Sequence, residues 1–145
     1  MLDVQGALAH VESATREGKL SKTAATNIGT WLTQARYAEY FDEIVAHIAN
    51  RKWRELDEAF WQVIPFGTGG RRGRMYPIGC NAINDRTIGE SAQGLADYVK
   101  QHAEGKPLAC EIAYDTHHQS RHLAELCAEI MVAAGFTEPD MKKWH

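Results

Sequence analysis

The chain has 145 residues, 44% apolar and 24% charged, which is ordinary globular usage and enough for a hydrophobic core. Its net charge of −3 argues against a dedicated nucleic-acid binder, because phosphate neutralisation normally needs a basic face. No apolar run approaches the roughly 18 residues of a membrane span, the N-terminus carries no basic segment leading into an apolar one, and three widely spaced cysteines make no disulfide framework; a reducing, cytoplasmic setting is expected.

In chain order, Val4, Leu8, Val11 and Ala14 recur at spacings of three and four and predict a helix over 2–16, broken at Gly18. Ser21 is a suitable N-cap for a second helix through Ile28, Trp31, Leu32 and Ala35. A third segment carries Tyr40, Phe41, Ile44, Val45 and Ile48, and a short fourth carries Trp53, Leu56, Phe60 and Trp61. The aromatic residues of this region fall at helical spacing and are read as core rather than as a ligand cage.

After Pro65 the pattern changes. Residues 72–76 and 79–83 predict a hairpin or bent ribbon around Pro77 and Gly79. Asn84 or Asp85 is expected to cap a helix to about His102 with Ile88, Ala92, Leu95, Ala96 and Val99 inward. Residues 108–114 read as a strand with Leu108, Cys110, Ile112 and Tyr114 on one face. Ser120 is expected to cap a last helix bearing Leu123, Leu126, Cys127, Ile130 and Ala134, which Gly135 ends. This order predicts an α/β fold: a helical N-terminal region, 1–62, then an α/β/α part, 63–145, with a short mixed sheet and flanking helices. Three short strands make a narrow sheet. The strand at 108–114 is expected to have an open edge, to be covered by the N-terminal helices, by a second copy in a homodimer or by further chain.

The segment PFGTGGRRGRMYPIGCN, residues 65–81, carries five glycines and three arginines. Glycines let backbone N–H groups approach a ligand, and successive N–H groups form an anion-binding concavity. Arg71, Arg72 and Arg74 add guanidinium forks that match phosphate, and Thr68 adds a hydroxyl. Two readings of these residues stand side by side: a site for a phosphorylated ligand, or a solvated turn whose arginines pair with the chain's own carboxylates. The segment meets neither the Walker pattern nor the dinucleotide fingerprint.

Other constellations are weaker. His117, His118, His122 and Cys127 lack the C-x-x-C or H-E-x-x-H context of a zinc site, and a solvated helix start explains them better. Asp115, between a strand and a helix, is expected to cap its own loop. No G-x-S-x-G elbow supports a serine hydrolase.

Three blocks in order carry a family resemblance: FGTGGRRGRM (66–75), NAINDRTIGESAQGLADYV (81–99) and AYDTHHQSRHLAELCAEIMVAAGF (113–136). They resemble the opening of the phosphoglucomutase/phosphomannomutase family, the phosphohexomutases, with its F-G-T-x-G-x-R-G motif, first long helix and G-x-D-x-R-x-x-S segment. The lead-in WRELDEAFWQVIPFGTGG is similar to that of some bacterial members. The resemblance implies the N-terminal part of the family's first domain. It also implies the family's activity, interconversion of hexose 1- and 6-phosphates through a phosphoserine, with Mg²⁺ held by that phosphoserine and by aspartates of a later domain. It places the family's opening arginine on Arg72, in the active-site floor, with Phe66, Thr68, Gly70 and Gly73 shaping the backbone and Arg71 and Arg74 beside it. The family's serine loop and its D-G-D-x-D-R metal loop have no counterpart in these residues, and His117 stands where an arginine is usual. Sugar phosphate is therefore the expected partner through the full-length enzyme. No catalytic residue and no cofactor are expected in this chain, which is expected to be inactive alone. The alternative is a stand-alone, non-catalytic module that binds phosphate or another protein.

Overall fold

Asp3 opens the first helix by accepting the Gly6 N–H at 2.7 Å in the computed structural model, which describes residues 2–143. Helix α1 is Val4–Arg16 and α2 is Lys22–Thr33. Ser21 caps α2 as expected, its hydroxyl accepting the Ala24 N–H at 3.1 Å. The second helix stops short of Ala35: residues Ala35–Tyr40 form a 3₁₀ helix, followed by α3, Phe41–Ala49, and α4, Trp53–Phe60. The chain divides into two units, Met1–Asn84 and Asp85–His145. The change from helices to loops near 62–63 is thus a change of local structure, and the packing boundary lies further along.

In the first unit the helices bury Ile28, Ile44, Ile48, Leu56 and Phe60 completely, each contributing about 2 kcal/mol of burial. Trp31 is the centre of an aromatic cluster, stacked on Tyr37 at 4.5 Å and edge-on to Phe60 at 5.2 Å. Two hydrogen bonds fix α4 against α2. Asp57 accepts the Ser21 N–H at 2.8 Å, and the Asn27 amide donates to the Phe60 carbonyl, an orphan acceptor at the end of α4, at 2.7 Å.

The chain then leaves α4 through an extended run in which Ile64 is buried while Trp61, Val63 and Phe66 are exposed. Strands β1, Phe66–Gly67, and β2, Gly70–Arg71, form an antiparallel hairpin with Thr68 and Gly69 at its tip. The ribbon expected at 72–76 and 79–83 is not formed. Residues 72–83 are a loop held to β-type geometry only at the bridge between Met75 and Ile83. The cause is a competing set of bonds to α4: the Asn81 N–H donates to the Ala59 carbonyl at 2.9 Å, and the Asn81 amide to the Glu58 carbonyl at 2.9 Å. Gly79 makes this approach, at φ +107°, where a Cβ would lie 2.3 Å from the Ala59 carbonyl oxygen.

In the second unit, α5, Asp85–His102, packs on α6, Ser120–Ala133, around Ala92, Ala96, Ala124, Met131 and Phe136. Leu95, expected inward, is 54% exposed; on α5 the small residues Ala92 and Ala96 face the partner helix. Strand β3 is Glu111–Tyr114, with the expected alternation of exposed and half-buried residues. One of its two edges is paired, and the other has no strand partner among the described residues. Strand β4, Asp140–Lys143, pairs with it in parallel register from Glu111↔Asp140 to Tyr114↔Lys143. β3, α6 and β4 therefore make a βαβ unit, completed by a segment in which the sequence shows little apolar signal. Gly135, at φ +100°, ends α6 as expected, and the Phe136 N–H returns to the Met131 carbonyl at 3.0 Å.

Candidate functional site

The glycine–arginine segment is anchored at both ends. The Ile64 N–H donates to the Cys80 carbonyl at 2.8 Å, and the Gln62 amide donates to the Asn81 side-chain oxygen at 3.0 Å. These bonds clamp residues 62–64 to 80–81 and leave 65–74 to project as a tethered loop. Gly70 takes φ +110° in the hairpin, which a side chain would strain. At Gly73 a Cβ would fall 2.6 Å from the end of the buried Ile64 side chain.

The three arginines have separate environments. Arg74 is locked onto the chain's own acid, its guanidinium donating to the Glu58 carboxylate at 3.1 Å while lying over the Tyr76 ring at 5.2 Å. Arg71 lies over the Phe66 ring, its cross-strand partner, at 5.5 Å. Arg72 is exposed and enters no ion pair among the described residues. Its guanidinium lies by the hairpin tip, where a Cβ on Gly69 would be 3.9 Å from Nη2.

Arg72 also borders two cavities. One, of about 370 Å³, is formed by Pro65, Gly67, Thr68, Gly69 and Gly70. The other, of about 330 Å³, lies toward α4 and is lined by Glu55, Glu58, Trp61, Gly73, Tyr76 and Asn81. Of the residues singled out in the sequence, Arg72, Thr68 and Gly70 therefore meet at one cavity, and Arg72, Gly73 and Arg74 at the other. Trp61 and Glu55 were not singled out as site residues: Trp61, read as core from its helical spacing with Trp53, Leu56 and Phe60, is 47% exposed, because α4 ends at Phe60 and the helical period does not extend to it. Burial first, and the Glu55 charge second, push the Tyr76 hydroxyl above its usual pKa. That hydroxyl lies 2.6 Å from His47 Nε2, and His47 Nδ1 faces the Glu43 carbonyl at 2.8 Å. A carbonyl only accepts, so Nδ1 carries a proton, and in the neutral ring Nε2 accepts from the Tyr76 hydroxyl.

A family model described as "Phosphoglucomutase/phosphomannomutase, alpha/beta/alpha domain I" matches residues 63–142. The chain belongs to this family. Among curated proteins it is 30% identical over 109 residues to the phosphoribomutase of Saccharomyces cerevisiae, a match covering 75% of this chain and 17% of that protein. It is also 30% identical over 112 residues to the human phosphopentomutase, covering 72% of this chain and 18% of that protein. The chain thus spans under a fifth of the length of the relatives it matches. No solved structure matches it significantly. The family region begins at residue 63, so the glycine–arginine hairpin lies inside it, and α4 with Trp61 precedes it.

The second unit holds a polar cleft of about 410 Å³ lined by Tyr114, Asp115, Thr116, His117, Gln119, Arg121 and His122. Here the charges satisfy one another. The Asp115 carboxylate accepts the Ser120 hydroxyl at 2.6 Å, the His117 N–H at 2.9 Å and His117 Nδ1 at 2.6 Å. These bonds, led by that from Ser120, hold its pKa down at about 2. Ser120 is accordingly the first residue of α6, not its cap, with Gln119 before it at φ +67°. Arg121 pairs with Glu125 at 2.8 Å and His122 with Asp85 at 2.8 Å.

Among the described residues no three His, Cys, Asp or Glu side chains gather closely enough to hold a metal ion, so no step through Mg²⁺ is assigned to these residues. Burial raises the thiol pKa of both Cys110 and Cys127. No helix among the described residues is long and apolar enough to cross a membrane.

Proposed function

We propose that this chain supplies the phosphate-recognition loop of a sugar-phosphate mutase and that its 145 residues do not catalyse phosphoryl transfer alone. The observation that carries this reading is Arg72: an exposed guanidinium with no ion pair among the described residues, beside the tethered Gly69–Gly70 turn. A phosphate in the adjacent cavity meets the Arg72 fork, the Thr68 hydroxyl and the N–H groups of the hairpin tip. Phosphoryl transfer depends chiefly on positioning and on charge stabilisation, which is what such a loop offers. The ligand class is an aldose phosphate. The family is described by glucose and mannose, the curated relatives by ribose and pentose, and an arginine fork reads the phosphate they share. The family resemblance implies a magnesium ion that would neutralise charge on the transferred group, and the described residues gather no ligand set for it.

Titration with inorganic phosphate tests the reading. Arg72→Ala is expected to lower the affinity at least tenfold, since hydrogen bonds to a charged group contribute about 1.5–3 kcal/mol. Equal affinity in the wild type and the variant refutes the assignment of Arg72. Mg²⁺-dependent turnover of glucose 1-phosphate by the purified chain refutes the statement that it is inactive alone.

A further inference from the structure

We propose that the cleft between α4 and Arg72 is a sugar subsite, in which Trp61 packs against the ring of an aldose phosphate and Glu55 accepts its hydroxyls. This rests on the reading of Arg72 as the phosphate contact. Trp61 and Glu55 lie before residue 63, outside the region the family model matches, so the lead helix adds them to the loop.

Four charged side chains line this cavity of about 330 Å³. Two cancel: the Glu58 carboxylate is shared between Arg54 at 3.3 Å and Arg74 at 3.1 Å. Arg72 and Glu55 remain, and neither enters an ion pair among the described residues. A guanidinium and a carboxylate at one cavity suit a ligand with an anionic end and a hydroxyl-bearing end. A bare phosphate meets the Glu55 charge as repulsion, whereas a sugar phosphate presents neutral O–H donors to it.

Trp61 completes the match. It is 47% exposed, while Trp31 and Phe60, on the same helical bundle, are buried. Its backbone is fixed from both sides: its main-chain N–H donates to the Asp57 carbonyl at 2.9 Å, and Ile64, three residues on, is buried and its main-chain N–H bonded to the Cys80 carbonyl. A half-exposed indole on a fixed backbone offers apolar contact area, with two side-chain torsions to order, which suits the C–H face of a sugar ring. A purely apolar partner is disfavoured by the charge and amide groups of the same cavity.

The test is calorimetric titration of the 145-residue chain with glucose 1-phosphate, ribose 1-phosphate, phosphoserine and inorganic phosphate. The aldose phosphates are expected to bind about tenfold more tightly than phosphate, the increment of one well-placed aromatic contact. Trp61→Ala removes most of that ratio and leaves phosphate affinity in place. Glu55→Gln lowers the ratio several-fold by strengthening phosphate and weakening the sugar phosphates. Where Trp61→Ala also disturbs the fold, Glu55→Gln and the shift of the Trp61 indole NMR signal on adding glucose 1-phosphate decide. An unchanged ratio in both variants, with phosphate still bound, overturns the sugar subsite and spares the phosphate reading. Phosphoserine binding as tightly as the aldose phosphates, with the same dependence on Trp61, also overturns it. Failure of the wild-type chain to bind phosphate overturns both readings.

Discussion

The two polar loops of this protein spend their charges differently. At the Asp115 loop every charge that lines the cleft has an internal partner: Asp115 with Ser120 and His117, Arg121 with Glu125, His122 with Asp85. At the glycine–arginine loop Arg74 is neutralised by Glu58, while Arg72 has no ion pair among the described residues and stands beside two cavities. A loop that consumes its own charges is a lock; a loop held by main-chain bonds, with a guanidinium left over, is prepared for an anion from outside. Sequence composition does not separate the two, since both read as polar, turn-forming segments rich in titratable groups.

Substitutions break or sharpen that contrast. The largest effect is expected from Gly79→Ala, which places a Cβ against the Ala59 carbonyl at positive φ. The variant loses about 3 kcal/mol in chemical denaturation and loses phosphate binding, because the strap that clamps the arginine loop is displaced. Near-normal stability with normal binding removes the clamp from the account. Next comes Arg72→Ala, with its tenfold or greater loss of phosphate affinity and a change in unfolding free energy within about 0.5 kcal/mol. A large loss of stability there makes Arg72 structural, like the Asp115 network.

Asp115→Asn reverses the expectation. It leaves phosphate affinity unchanged and speeds hydrogen exchange at the His117 amide and the first turn of α6. The same carboxyl gives a pH signature. Its folded pKa, about 2, lies below the ordinary value of 3.8, so its contribution is fully present above about pH 4 and is lost as pH falls through 2. The Asp115 carboxyl carbon followed by NMR should titrate near 2, and a midpoint close to 3.8 disproves the network. Smallest is Arg74→Ala. Its bridge to Glu58 is largely exposed, so its stabilisation is at most about 1 kcal/mol by thermal unfolding, and phosphate binding survives within about twofold. A loss as large as that of Arg72→Ala shows that Arg74 leaves Glu58 to hold the ligand.

The helices were legible because each buries a stripe at its own period, as Val11 and Ala14 do in α1 and Leu56 and Phe60 in α4. Ser21 was legible as a cap from local chemistry alone. Strand β4 was not: Asp140–Lys143 has almost no apolar alternation, and it is a strand because β3 offers it backbone partners. Ser120 was misplaced as a cap because the competing acceptor, Asp115, is supplied by a loop whose fold spacing does not fix.

The amino-acid sequence by itself determined the helical bundle, the family and the presence of a flexible, cationic segment near residue 70, because these follow from periodicity, motif and composition. Only the tertiary structure decided which arginine is left without an acid, and that Trp61 faces a cleft while Trp31 faces the core. Ion pairing and exposure depend on groups brought together from distant positions, Glu58 to Arg74 and Ala59 to Gly79, and no local pattern records those meetings.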